Sequence, residues 1–307
     1  MATRKMALFA GLSGLAAWHC SKPRFSLGSG IEISQTYAHV FSPYLVAFSP
    51  PPHRGAPHPA PWKRVSGGTA LDIHAEISIP AGSRAGAHFD GWSTIWLITA
   101  LLRLKVALSV RAPVVSDISF AAVATATREP EFFPLEMNAG VLSGGYSAGM
   151  VALSDDHVAW VNAYWKAAEA LMKTHPKFFR AFVSCDSFRL ARDLNDQVVI
   201  IWGGLEQLFS KNEAELRFRA AGVIASYLEE AGPKRLAAFK RVRKAYDQRS
   251  KAAHGGSTDG PDAFNDSYQL LRLSLMKMIE SDRVPSVDAL ENNLFDNGLW
   301  VDIGAVE

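Results

Sequence analysis

The sequence predicts an α+β fold, in which a β-rich N-terminal domain precedes an all-α helical bundle. In the first half, apolar residues alternate with polar ones, as at residues 71–79, and this period of two is typical of half-buried strands. After about residue 150 the apolar residues recur every three or four positions, which is the period of amphipathic helices. Because 307 residues exceed the usual size of one core, we expect two domains at residues 1–145 and 151–307, with the Ser-Gly-Gly run at 143–145 as the boundary.

The N-terminal half combines apolar, β-branched and aromatic runs with breaks rich in proline and glycine. One apolar helix is expected at residues 92–104, and the Pro/His-rich tract at residues 50–61 should be a long exposed loop. Strands are expected at residues 31–41, 44–48, 71–79, 106–110, 114–122 and 132–137. By its position, this domain is a candidate for sensing a trigger or binding a partner protein.

The first twenty residues allow two interpretations. A basic pair at residues 4–5 and an apolar run at residues 6–18 resemble the start of a signal peptide. However, His19 stands before Cys20, where a lipoprotein signal needs a small residue, so a buried strand or an amphipathic segment is the favoured interpretation. Cys20 and Cys185 are far apart and form no zinc or disulfide pattern, which is typical of a reducing, cytoplasmic protein. No run approaches the roughly 20 apolar residues that cross a bilayer, so no membrane partner is expected.

Capping residues and helix breakers delimit six helices in the second half. Residues 154–155 (Ser-Asp) can cap the first, while prolines open the second at Pro176 and the sixth near Pro261. The Gly-Pro pair at residues 232–233 ends the fourth helix, and the Gly pair at residues 255–256 ends the fifth. Helices joined by short loops pack as an antiparallel bundle, which is therefore the expected architecture of this domain.

The fifth helix is strongly basic, although the whole chain carries a net charge of only +2. Between residues 231 and 254 the single acid is Asp247, and the basic residues are Lys234, Arg235, Lys240, Arg241, Arg243, Lys244, Arg249 and Lys251. A cationic helix is an electrostatic footprint for a polyanion, and a solvated helix face is the simpler alternative. The nucleic-acid-binding candidates are Lys240, Arg241, Arg243, Lys244 and Lys251.

Arg249 and His254 stand five positions apart at the end of this helix. Arg249 continues the apolar stripe of Val242 and Tyr246, so its charge should have a partner or a bound anion. Phosphodiester cleavage needs a guanidinium that stabilises the phosphate and an imidazole that moves a proton. The alternative is structural, with Arg249 paired to an acid such as Glu206 and His254 capping the helix.

Three segments, in order along the chain, resemble the Apea-like branch of the HEPN family (higher eukaryotes and prokaryotes nucleotide-binding domains). Residues 246–255, Tyr-Asp-Gln-Arg-Ser-Lys-Ala-Ala-His-Gly, are similar to the family signature of a tyrosine, then Arg-Ser, then His-Gly at this spacing. Residues 204–209 resemble the Leu-Glu-x-Leu helix of the family, and residues 215–221 resemble the helix that follows it. The resemblance covers about residues 151–280, roughly two-fifths of the chain.

The resemblance implies a helical bundle that is usually a dimer, with the motifs of two chains meeting across the interface. Many such domains cleave RNA without a metal or other cofactor, and many act in phage defence or as toxins. Carried over residue by residue, Arg249 would bind the scissile phosphate and His254 would act as general acid and base. Glu206, Tyr246 and Ser250 would be supporting residues. The best-known nucleases often carry Asn, Asp or His after the motif arginine, whereas serine is common in the Apea-like branch.

Two functions follow from these features. The first is a metal-independent endoribonuclease, in which the ribose 2′-oxygen attacks the adjacent phosphorus and leaves a 2′,3′-cyclic phosphate. The second is a non-catalytic module that binds RNA or a nucleotide, forms dimers or binds a toxin. Metal ligands are not expected, because Asp155, Asp156 and His157 fit the start of a helix better than a metal site.

Overall fold

The computed structural model describes residues 6–40, 45–64, 71–82, 88–136, 149–210, 216–256 and 258–295. An antiparallel sheet in the N-terminal part and helices in the C-terminal part confirm the predicted α+β class. The chain divides into two compact units. Among the described residues, the first unit comprises those up to residue 162 except His88, and the second comprises His88 and the residues from 163 onward.

The first unit is built from short strands and one helix. Its strands are β1 (Leu8–Ser13), β2 (Leu15–Trp18), β3 (Arg24–Gly28), β4 (Ile31–Val40), β5 (Leu45–Ala47), β6 (Trp62–Arg64), β7 (Leu71–Ile79), β8 (Arg111–Ser116), β9 (Phe132–Pro134) and β10 (Val151–Leu153). Six of them form an antiparallel sheet in the order β3-β4-β7-β1-β8-β9, while β5 pairs with β6 and β10 pairs with β2. The alternating segment at residues 71–79 is therefore a strand, as predicted, and the apolar start of the chain supplies the buried strand beside it.

Helix α1 (Gly91–Lys105) and the chain that follows β8 both pack against the sheet. The helix contacts β1 and β8. On β1, a Cβ atom at Gly11 would lie only 3.0 Å from the ring of Phe120, so the chain that follows β8 packs closely over the sheet at this glycine. The buried Glu76 carboxylate fixes that covering segment, because it accepts hydrogen bonds from Ser119 Oγ (2.6 Å) and Phe120 N (2.8 Å).

Two predicted strands differ from the structure. Residues 106–110 form a turn, because α1 ends there and the chain must reverse before it enters β8. In this turn the Ser109 hydroxyl donates to the Gly14 carbonyl (2.7 Å). The strand expected at residues 114–122 ends at Ser116, because the residues after Ser116 leave the sheet and pack over it.

The start of the helical part also differs from the prediction. The expected boundary at residues 143–145 lies outside the described residues, and residues 149–162 belong to the first unit. Strand β10 pairs in parallel with β2, and the Asp155 carboxylate, a predicted helix cap, accepts hydrogen bonds from Ser21 N (2.8 Å) and Oγ (2.5 Å). These contacts explain why the second unit begins later than residue 151.

The helices of the C-terminal part are α2 (Asp155–Thr174), α3 (Pro176–Ser187), α4 (Leu194–Phe209), α5 (Leu216–Leu228), α6 (Pro233–Ala253), α7 (Pro261–Glu280) and α8 (Val287–Phe295). Prolines occupy the first turn of α3, α6 and α7, where the missing N–H costs nothing. Helix α4 begins after Asp193, whose carboxylate accepts a hydrogen bond from Asp196 N (2.9 Å). Helix α8 has no counterpart among the predicted helices, and it packs on α5.

Helices α4 and α7 form the centre of the second unit, and both contact α3 and α6. Ile201 and Leu205 on α4 and Leu271 on α7 are completely buried. Gly204 allows the close packing, because a Cβ atom there would lie 2.9 Å from Leu271 Cδ2 and 3.1 Å from Ser184 Cβ. Within the described parts of the chain, no helix combines the length and the apolar character needed to cross a membrane.

Candidate functional site

The basic helix α6 carries the predicted catalytic pair, but its buried face is rotated relative to the predicted stripe. Val242, Ala245 and Gln248 are the buried residues of this helix. Tyr246 and Arg249 lie at the edge of the buried face and are half-buried. Arg249 therefore lies at the margin of the core, where its guanidinium contacts protein and keeps part of its hydration.

Arg249 forms an ion pair with Glu206 on α4. Its Nη2 donates to Glu206 Oε2 (3.3 Å) and lies 2.9 Å from Oε1, although Oε1 lacks hydrogen-bond geometry. The two side chains are 26% and 25% exposed, so water screens the pair only in part. Arg249 Nε is buried and has no hydrogen-bond partner in the described structure. The guanidinium is thus held in place on one side and keeps an unused donor.

Tyr246 supports Arg249 from the same helix. The Arg249 guanidinium carbon lies 5.9 Å from the centre of the Tyr246 ring, within range of a cation–π contact. The Tyr246 ring in turn meets Trp202 on α4 edge to face, with centroids 5.3 Å apart at 89°. Trp202 is fully buried, and its indole N–H donates to Ser267 Oγ on α7 (2.9 Å). Three helices therefore fix the surroundings of Arg249.

His254 ends α6 and has an exposed side chain that makes no hydrogen bond or ion pair with any described residue. Its backbone N–H donates to the carbonyls of Ser250 and Lys251 (both 3.2 Å), and Gly255 follows with φ of +73°. Five positions along a helix correspond to a rotation of about 140°, so His254 and Arg249 of one chain diverge around the helix axis. No hydrogen bond joins the two side chains in the described structure.

The predicted RNA-binding cations of α6 are all exposed, but they differ in their partners. Lys240 and Lys251 have no ion-pair partner among the described residues, whereas Lys244 Nζ lies 3.7 Å from Asp259 Oδ2. Arg241 Nε lies 4.0 Å from Asp266 Oδ1, at the limit of an ion pair. Arg243 lies over the Phe239 ring, 5.7 Å from its centroid. Lys240 and Lys251 are therefore the most available to a polyanion.

A groove of about 700 Å³ lies between α5, α6 and α7. Its lining includes Lys234 and Arg241 on α6 and Lys277 on α7, together with two glutamates and several apolar side chains. Burial lowers the pKa of Lys277, whose ammonium donates to the Tyr227 carbonyl (2.6 Å). Burial also raises the pKa of Tyr227. None of the predicted catalytic residues lines this groove, so it is separate from the Arg249 site.

Gln248 is a structural residue of the site that the sequence-based candidates did not include. Its side chain is only 5% exposed, and its Oε1 accepts a hydrogen bond from Asp259 N (3.0 Å) in the connection between α6 and α7. The sequence contains a signal for this role, since Gln248 follows Val242 and Ala245 at helical spacing. A polar residue on a buried helix face needs a hydrogen-bond partner.

Comparison with protein-family models, curated proteins and solved structures found no match to this chain. Within the described residues, no group of three or more His, Cys, Asp and Glu side chains is arranged to hold a metal ion.

Proposed function

We propose that the helical unit is a metal-independent endoribonuclease of the HEPN type. The three segments that carry the family resemblance fall on α4, α5 and α6, and these helices contact one another in the second unit. Glu206 and Tyr246, the expected supporting residues, both contact Arg249. This convergence of separate sequence segments supports the proposal independently of the spacing of the motif itself.

The observation that carries the proposal is the state of Arg249. A guanidinium has five N–H donors in a planar fork, and Glu206 holds it on the Nη2 side. The side chain is 26% exposed, so an N–H donor that Glu206 does not use can meet a phosphate oxygen, whereas the unpaired Nε is buried and closed to solvent. Such a donor, fixed before the substrate arrives, can stabilise the charge that builds up on a phosphate during displacement.

His254 supplies the proton transfers. One imidazole removes the proton of the ribose 2′-hydroxyl, and the 2′-oxygen attacks the adjacent phosphorus. The bond from phosphorus to the 5′-oxygen then breaks, and this oxygen takes a proton from a protonated imidazole. The products are a 2′,3′-cyclic phosphate and a 5′-hydroxyl, so water is not consumed in this step.

The proposal includes a homodimer through the helical unit. Because Arg249 and His254 of one chain diverge around α6, a site that uses both needs either a large movement of His254 or a second chain. Two chains that meet at these motifs supply two imidazoles, one to accept and one to donate a proton. A light-scattering mass of one chain at micromolar concentration would count against this arrangement.

The decisive assay is incubation of the purified full chain with labelled RNA in EDTA. The expected products carry 2′,3′-cyclic phosphate and 5′-hydroxyl ends, and a matched oligonucleotide with 2′-deoxyribose at the cleaved position should stay intact. The double variant Arg249→Ala/His254→Ala, purified in the same way, controls for contaminating nucleases. Cleavage of the 2′-deoxy substrate, or loss of cleavage in EDTA, would overturn the proposed chemistry.

A second candidate is a non-catalytic module that binds RNA or a partner such as a toxin. The ion pair with Glu206 favours it, because that carboxylate already neutralises Arg249. Under this alternative, the wild type and the double variant bind RNA equally and neither cuts it. In either case we propose that the protein acts in phage defence or as a toxin component, and that the N-terminal unit receives the partner or trigger.

A further inference from the structure

The side chain of His254 makes no hydrogen bond or ion pair with a described residue, so its position is set by its backbone, which α6 holds on one side and the following chain on the other. Two glycines with positive φ, Gly255 (+73°) and Gly260 (+63°), turn the chain from α6 into α7. Such turns are mobile unless other groups hold them. The residues that bind this connection therefore contribute to the position of His254, together with the hydrogen bonds to Ser250 and Lys251.

Asn195, in the first turn of α4, forms hydrogen bonds with two residues of this connection. Its Nδ2 donates to the Gly256 carbonyl (3.4 Å), and its Oδ1 accepts from the Thr258 hydroxyl (2.9 Å). The Thr258 hydroxyl also accepts from Gly260 N (3.4 Å). A single amide side chain on α4 thus binds two residues of the connection that leads from α6 to α7.

Helix α4 then holds both parts of the proposed site. Near its C-terminal end Glu206 binds Arg249, and near its N-terminal end Asn195 binds the connection after His254. The two positions are eleven residues apart, about 16 Å along a helix. We propose that Asn195 is a positioning residue that holds the His254 segment of α6 through Gly256 and Thr258. This inference rests on the proposed ribonuclease function.

The physical reason for such a tether is the sensitivity of proton transfer to geometry. A displacement of about 1 Å can lower the rate of a catalysed step by about a hundredfold. Because the imidazole has no hydrogen-bond partner of its own, only the backbone of His254 fixes its position. Losing the tether should therefore lower kcat and leave KM nearly unchanged, since RNA contacts the cations of α6 independently.

The test uses the full chain with Asn195→Ala, Thr258→Val and the conservative Thr258→Ser. Hydrogen exchange is measured without RNA at the amides of Gly256, Asp259 and Gly260. Exchange should accelerate at least about fivefold in Asn195→Ala and Thr258→Val, since each variant removes two hydrogen bonds of the connection, and Thr258→Ser should keep the wild-type rate. Asn292→Ala, at an exposed position on α8, is the matched control and should change nothing.

Cleavage is measured on the same proteins. The two disruptive variants should lose about tenfold to a hundredfold in kcat with KM within about twofold of wild type, and Thr258→Ser should recover kcat. Unchanged exchange would overturn the tether, and faster exchange with unchanged kcat would overturn the positioning role. If wild type cuts no RNA, the proposed function fails, while the exchange result still decides whether Asn195 holds this segment. Far-UV circular dichroism melts confirm that each variant is folded.

Discussion

Arg249 shows how a single half-buried cation can serve both stability and chemistry. An unpaired charge at the edge of a core is costly, and Glu206 supplies the counter-charge. The same carboxylate orients the guanidinium, since it binds one nitrogen and leaves Nε without a partner. The structural interpretation of Arg249 and the catalytic one are therefore compatible, because a phosphate can use donors that Glu206 does not.

Replacing Arg249 should reveal its structural role. Arg249→Ala leaves the buried Oε1 of Glu206 uncompensated, so we expect a loss of about 1–3 kcal/mol in the free energy of unfolding. The double variant Arg249→Ala/Glu206→Ala should recover part of this loss. Arg243→Ala, at an exposed position of the same helix, should stay within about 0.5 kcal/mol of wild type. Urea unfolding measures all four proteins, and an unchanged midpoint in Arg249→Ala would contradict the account of the ion pair.

His157 predicts a pH dependence for the first unit. Burial, and secondarily the nearby Lys105, lowers the pKa of His157 below its ordinary value of 6.5, and Nδ1 accepts a hydrogen bond from Ser154 N (3.2 Å). Because the folded-state pKa is the lower one, the unfolded chain binds the proton more readily. The stability from His157 is complete above pH 6.5 and is lost as the pH falls below it.

The measurement is the melting temperature of wild type and His157→Gln as the pH falls from about 7.5 to about 5. Wild type should lose more stability over this range than the variant, which cannot protonate at this position. Equal losses in both proteins would show that protonation of His157 does not affect the stability of the first unit.

At the scale of elements, α6 marks the limit of what its sequence could predict. Its bounds, its basic character and its terminal glycine could be predicted, because breakers and charge are local properties. The orientation of Arg249 could not be predicted. The sequence suggested a buried face through Val242 and Tyr246, whereas the face that packs against α4, α5 and α7 includes Ala245 and Gln248. The tether from Asn195 is also beyond prediction, since it joins residues more than sixty positions apart.

The same distinction holds for the strands. Residues 71–79 were predictable from their alternation, whereas the mostly apolar run at residues 106–110 forms a turn after α1. Strand β10 pairs with β2, far away in the sequence, so neither its register nor its membership of the first unit has a local signal. Local periodicity indicates that a segment can form a strand. Pairing with distant segments decides whether the strand forms and where it lies in the sheet.

The exposed lysines of α6 predict a salt dependence of RNA binding. Lys240 and Lys251 are free of described ion pairs, so replacing both with alanine should remove two phosphate contacts. The slope of log K against log salt concentration should fall in magnitude by roughly 1.4, about 0.7 for each contact with a single strand. Lys177→Ala, an exposed lysine on α3, is the matched control. An unchanged slope would show that Lys240 and Lys251 do not contact the phosphates of the RNA.

At the scale of the whole molecule, the second unit should fold without most of the first. The core of α3 to α8 lies within the second unit, and a fragment of residues 149–307 retains all of α2. We expect this fragment to show a helical circular dichroism spectrum and a cooperative melt. A spectrum without helix, or a gradual melt, would show that the helical unit depends on the residues before it.

The central claim is that His254 moves protons during cleavage of RNA at an Arg249 site. It is tested most directly by single-turnover cleavage in EDTA by wild type, His254→Ala and the exposed-loop control His53→Ala. We predict that His254→Ala loses about 10²–10⁴-fold in rate, while His53→Ala cuts at the wild-type rate. The His254 side chain is exposed and makes no hydrogen bond or ion pair with a described residue, so the variant should melt like wild type. Cleavage by His254→Ala at the wild-type rate would contradict the account.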